Sequence, residues 1–134
     1  MEPVVSSRVV LAATINGKGE VHRLQDAKPL PQQVIDRAHA AIGMGNSRVI
    51  AAQVRANGGA LAMWDDAVIL FNATDIVEPS AIGVISICRL REGTQIMAKI
   101  ERARKTGEAL VRGPDNSTKE VQLDTATPVL AIIP

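Results

Sequence analysis

Apolar residues fall along this chain in short runs separated by turn formers. Arg8 to Ile15 reads RVVLAATI, rich in β-branched side chains, and ends at Asn16-Gly17-Lys18-Gly19, which predicts a strand and a turn. Glu20 to Leu24 alternates in part and is expected to return antiparallel as a hairpin. Between Pro31 and Ile42 the apolar positions Val34, Ala38, Ala41 and Ile42 recur at helical steps behind a proline that a first helical turn tolerates. A short helix is expected there, stopped by Gly43 and Gly45. Arg48 to Arg55 predicts a strand closed by the breaker run Ala56-Asn57-Gly58-Gly59. Further strands are expected over Ala67 to Phe71, Ala81 to Leu90 and Thr94 to Glu101, the last two paired across Arg91-Glu92-Gly93. Glu108 to Arg112, Glu120 to Leu123 and Pro128 to Ile133 complete the pattern.

Many short strands with regular breaks predict a mainly β domain, a compact sandwich or barrel of antiparallel strands with at most one or two short helices. The 134 residues fit one domain, with no repeat, linker or low-complexity stretch. Hydrophobic residues are 46% of the chain and aromatics 1%, so the core must be built from Val, Ile, Leu and Ala. Fifteen basic residues against fourteen acidic ones leave a formal charge of +1, which argues against a broad phosphate-binding footprint. One Trp, one Phe and no Tyr supply no stacking platform for single-stranded nucleic acid. A single cysteine, Cys88, and no secretory pattern point to the cytoplasm, and no apolar run approaches the ~18 residues that span a bilayer.

Familiar catalytic and binding constellations fail one by one. Gly17-Lys18-Gly19 lacks the spacing of a phosphate-binding loop and reads as a hairpin turn. His22 and His39 with one cysteine cannot make a four-ligand zinc site without carboxylates, so neither metal nor cofactor is expected. Cys88 lies inside an apolar strand and reads as a small packed side chain rather than a nucleophile. Asp65 and Asp66 are adjacent and would point to opposite faces of an extended chain, so a turn is the better reading. Trp64 is expected to cover one edge of the core.

From Val54 onward, VRANGGALAMWDDAVILF resembles the segment of LexA-like and phage-repressor regulators where a strand ends in a Val-Arg-Gly-Asp-Ser-Met box and runs on to Asp-Gly and an apolar strand. Val54 and Arg55 match, Asn57 takes the Asp position, Asp65 takes the Asp of Asp-Gly, and the family's Pro is absent. GVISICRLREGTQIMAKIERARKTGEALVRGPDN is similar to the family's hairpin, whose second strand carries a lysine, and STKEVQLDTATPVLAIIP to its closing strands. VVLAATINGKGEVHRLQD resembles the opening strand and the self-cleavage loop, so the likeness covers nearly the whole chain except Ala27 to Ser47.

The resemblance implies a LexA-like carboxy-terminal domain in which a serine is the nucleophile and a neutral lysine its base. Counting from Val54 and Arg55 puts the serine position on Gly58; counting from Glu92 and Gly93 puts the lysine position on Ala98. Ala98 shares its face with Ile96 and Ile100, while Lys99 would point away, and the scissile pair corresponds to Gly17-Lys18. The implied function is a dimerising regulatory domain that has lost self-cleavage, not an enzyme. It would reach DNA only through a helix-turn-helix domain not read in these residues. Leu90 and the closing run Pro128, Val129, Leu130, Ala131, Ile132 and Ile133 are the expected dimer surface. Two alternatives stand beside this reading: a Ser-Lys peptidase disabled by engineered substitution, and a pseudo-peptidase whose vacated cleft binds a ligand or an antirepressor.

Overall fold

The computed structural model describes residues 9–42 and 49–134. In chain order the elements are β1 (Val10–Asn16), β2 (Glu20–Pro29), α1 (Gln32–Ile42), β3 (Val49–Arg55), β4 (Val68–Asn72), β5 (Ile85–Leu90), β6 (Gln95–Ala103), β7 (Glu108–Arg112) and β8 (Thr118–Ile133). The protein is therefore mainly β with one α-helix among the described residues. Gly43, Gly45 and Arg48, to which the sequence assigned a helix stop and a strand start, lie outside them.

Strand order is β2-β1-β3-β4-β8-β5-β6-β7, and two further pairings close the sheet on itself. Glu20 and Val21 of β2 pair with Ile96 and Gln95 of β6, completing a ring of seven strands. Pairing of β7 with β8 completes a smaller ring of β8, β5, β6 and β7. Closure leaves few free edges, the usual β-protein defence against edge-to-edge association. β1 and β3 run parallel, an exception to the antiparallel expectation, because β2 and α1 together form the crossover such a pairing needs.

Three apolar clusters fill this framework. Ala13, Ile15, Val21, Val54, Ile69, Phe71, Ile87 and Met97 belong to the first, drawn from strands of the large ring. Cys88, Leu90, Ala98, Ile100, Val111 and Leu123 belong to another, drawn from the small ring. The remaining cluster joins Leu11, Leu30, Val49, Val68, Leu70 and Ile133 to Ile35 and Ala38 of α1. β3 and β4 send side chains to two clusters, Val49, Ala51, Val68 and Leu70 to the helix-covered one and Ala52, Val54, Ile69 and Phe71 to the large-ring one, which is why their sequences are near-continuous apolar runs.

Two strand readings change. Ala81 to Leu90 is not one strand: Pro79–Ala81 is a 3₁₀ turn and Gly83 adopts φ +93°, so regular pairing begins only at Ile85. The two predicted closing strands are a single sixteen-residue strand, β8. Pro128, which has no N–H to give a ladder, stands where β8 leaves β5 and passes to β4.

Thr127 pairs with Ile87 and is 2% exposed, and its Oγ1 has no hydrogen-bond partner among the described residues. Burying an unpaired hydroxyl is unfavourable, so Thr127→Val is expected to raise stability by about 1 kcal/mol. Chemical denaturation should show a higher midpoint at an unchanged slope.

Candidate functional site

The residues singled out for peptidase-like chemistry converge only in part. The β1–β2 turn is built by Asn16, whose Oδ1 accepts from the backbone N–H groups of Lys18 and Glu20 at 3.0 Å each. Its Nδ2 donates to Glu20 Oε1 at 2.8 Å, and that bond, with Lys18 and His22 nearby, holds the Glu20 carboxyl below its usual pKa. Gly19, at φ +84°, closes the turn with an N–H to Asn16 O bond of 3.0 Å. A side chain there would collide with Pro114 and with the Met97 carbonyl, at 2.9 and 3.0 Å. Glycine is thus required on both conformational and steric grounds.

This turn is wedged between the two strands that the resemblance invoked. On one side, a Cβ added to Gly17 would lie 3.1 Å from the Gly58 carbonyl oxygen and 3.7 Å from the Ala56 Cβ. On the other, the Met97 N–H donates to Gly19 O at 2.7 Å. Gly17, Gly58 and Met97 therefore bound one junction, at the ends of β1 and β3 and the start of β6.

The loop that carries Gly58 is locked at its base. Asp65 Oδ1 accepts from the Ala56 N–H at 3.0 Å, the Asp66 N–H donates to Val54 O at 2.8 Å, and Arg55 pairs with the Asp66 carboxylate. Asp66 sits at φ +72°, so the Asp65-Asp66 pair forms a turn as expected, with each carboxylate engaged in holding the loop. Above that base the loop is open: Gly58 is exposed, and a Cβ added to it meets nothing within 4 Å. Trp64 is 37% exposed on this loop and does not seal the core.

Ala98 does not belong to this junction. It is buried in the small-ring cluster with Cys88 and Ile100, whereas Met97 packs in the large-ring cluster with Val54, Ala56 and Leu61, the residues that flank Gly58. The inward-facing trio of Ile96, Ala98 and Ile100 is present, but it faces the other core. Lys99 points outward, close to Glu101 at 3.7 Å. The β6 side chain on the Gly58 side is that of Met97, and the sequence alternation alone did not single it out.

The expected dimer surface also needs correction. Leu90 and Ile133 are each 6% exposed, buried in the small-ring cluster and the helix-covered cluster respectively, so neither can meet a partner. Val129 and Ala131 are partly buried against the core. Leu130 and Ile132 face solvent and line one groove with Val84 and Ile85, which were not part of the expected surface. Four of the eight large apolar side chains this exposed among the described residues thus line one groove.

Cys88 is fully buried, and burial pushes its thiol up to about 12. It is packing material, as read from sequence, and should resist a thiol-specific reagent at pH 8 until the chain is unfolded. Among the described residues no group of three or more His, Cys, Asp or Glu side chains is placed to hold a metal. No helix is long and apolar enough to cross a membrane. Comparison with protein-family models, with curated proteins and with solved structures finds no match for this chain.

Proposed function

We propose that this domain is a non-cleaving regulatory and dimerisation module of the LexA and phage-repressor type. The observation that carries the reading is the junction of Gly17, Gly58 and Met97. The β1–β2 turn lies against the open loop at Gly58 and the buried start of β6 at Met97, and those two positions offer neither a hydroxyl nor an amine. Self-cleavage by a serine with a lysine base needs both groups within bonding reach, so the arrangement keeps the framework of such a reaction without its chemistry. On this reading the lysine position is Met97, not Ala98.

What remains for the domain to do is associate. β8 pairs with β4 over Val129 to Ile133, while its pairing with β5 ends at Pro128. Over those last residues its other edge has no partner strand among the described residues. A groove of about 500 Å³ opens there, lined by Val84, Ile85, Leu130 and Ile132 with Lys99 at its rim. An open strand edge carrying apolar side chains suits a second copy docked about a two-fold axis, which buries the same patch on both subunits. Dimerisation would let attached DNA-binding domains engage two half-sites together. Sedimentation velocity of the chain tests this: a dimer is expected at tens of micromolar, on the order of weak specific interfaces, and a monomer there refutes association as its role.

A further inference from the structure

Two asparagines of the chain precede a glycine, in Asn16-Gly17 and Asn57-Gly58. Such a pair is open to an internal reaction in which the glycine nitrogen attacks the asparagine Cγ. A glycine carries no Cβ to shield that nitrogen, and its backbone turns freely enough to bring the two atoms together.

The fold treats the two pairs in opposite ways. Asn16 has both ends of its amide engaged: Oδ1 accepts from the Lys18 and Glu20 N–H groups at 3.0 Å each, and Nδ2 donates to Glu20 Oε1 at 2.8 Å. Its Cγ can reach the Gly17 nitrogen only after these bonds open. Asn57 is exposed, and its side chain has no hydrogen-bond partner among the described residues. The Gly58 N–H likewise has no acceptor among them. A Cβ added to Gly58 meets nothing within 4 Å, so the space a ring would need is already open.

We propose that Asn57 is a site of spontaneous deamidation and that Asn16 is protected from it. The Gly58 nitrogen forms a bond to Cγ of Asn57, the Cγ–Nδ2 bond breaks, and Nδ2 leaves as ammonia with the proton from the Gly58 N–H. Solvent water then adds to either carbonyl of the cyclic imide, leaving aspartate or isoaspartate at position 57. No oxidant or reductant enters.

The product alters the loop between two fixed points. Ala56 is held through its N–H by Asp65, and the Gly58 carbonyl bounds the Gly17 turn. Isoaspartate inserts an extra methylene into the backbone between them, and either product adds a carboxylate to a loop that already carries Asp65 and Asp66. Fifteen basic and fourteen acidic residues become fifteen of each, so the formal charge of +1 falls to zero. None of this rests on the proposed function.

The test incubates the full chain at mildly alkaline pH beside a sample kept unfolded in urea, until the unfolded sample has converted. Isoelectric focusing and peptide mapping by mass spectrometry follow both. The folded chain should gain an acidic band, with aspartyl and isoaspartyl peptides at position 57. Asn16 should convert about a hundredfold more slowly than Asn57, since three hydrogen bonds must open first. In urea the two pairs should convert at comparable rates. Gly58→Ala adds a Cβ in open space and at a φ that is not left-handed, so it should fold and lose the acidic band over the same period. Asn57→Asp should carry that band from the start. Conversion of Asn16 as fast as Asn57 in the folded chain, an intact Asn57 there, or an undiminished acidic band in Gly58→Ala overturns the proposal.

Discussion

Replacing Ile132 by Asp is expected to turn the proposed dimer into a monomer throughout the micromolar range, weakening association by about a hundredfold or more. The figure follows from burying a carboxylate without a partner in an apolar contact, which costs several kcal/mol, each ~1.4 kcal/mol being a factor of ten. Ile132 is 36% exposed and lies outside the three core clusters, so the folded subunit should survive the change. Leu130→Asp should behave alike, since both side chains line the same groove. Ile76 is 59% exposed and does not line that groove, so Ile76→Asp should leave association unaltered. Sedimentation velocity of the three variants checks all of this, and equal behaviour of Ile132→Asp and Ile76→Asp would rule out this face.

Gly58→Ser with Met97→Lys is expected to produce a chain that cuts itself between Gly17 and Lys18, roughly three orders of magnitude or more faster than the unmodified protein, by analogy with dyad and triad deletions. Position 58 is open to a side chain, and the Gly17 backbone already lies against the Gly58 carbonyl. Position 97 is 9% exposed in an apolar cluster, where desolvation holds an amine neutral and basic. The unfolded chain, with a lysine pKa near about 10.4, binds more protons than the folded one across the window between the two pKa values. Stability of Met97→Lys should therefore rise with pH through that window, and cleavage should rise with it. Gly58→Ser with Ala98→Lys places the amine in the small ring instead, and should lose stability without gaining cleavage.

Most strands were legible because their apolar runs are short and bounded by Gly, Pro, Asn and Asp. The Asn16–Gly19 turn, the hairpin across Arg91–Gly93 and the helix behind Pro31 all follow from local chemistry, and all are present. What local chemistry does not encode is ring closure. The pairing of β2 with β6 joins Glu20 to Ile96 across most of the chain, and nothing in either segment announces it. The same closure explains why alternation favours Ala98 where the proposed junction has Met97. Alternation identifies one buried face, but β5, β6 and β8 each lie between two cores, so Met97 and Ala98 are both buried and parity cannot choose between them. Leu90 and Ile133 were misread for the same reason: an apolar residue near a chain end or turn reads as available surface until the second core behind it is known. Pro128 misled differently. It looked like a strand boundary and is instead a change of partner within one strand.

Intact-mass spectrometry of the two double variants, incubated at alkaline pH, tests the assignment of the junction most directly. Gly58→Ser with Met97→Lys should yield two fragments meeting at Gly17 and Lys18, while the unmodified chain and Gly58→Ser with Ala98→Lys should stay whole. Fragments from the Ala98→Lys pair alone, or a folded Met97→Lys pair that remains intact, would contradict it.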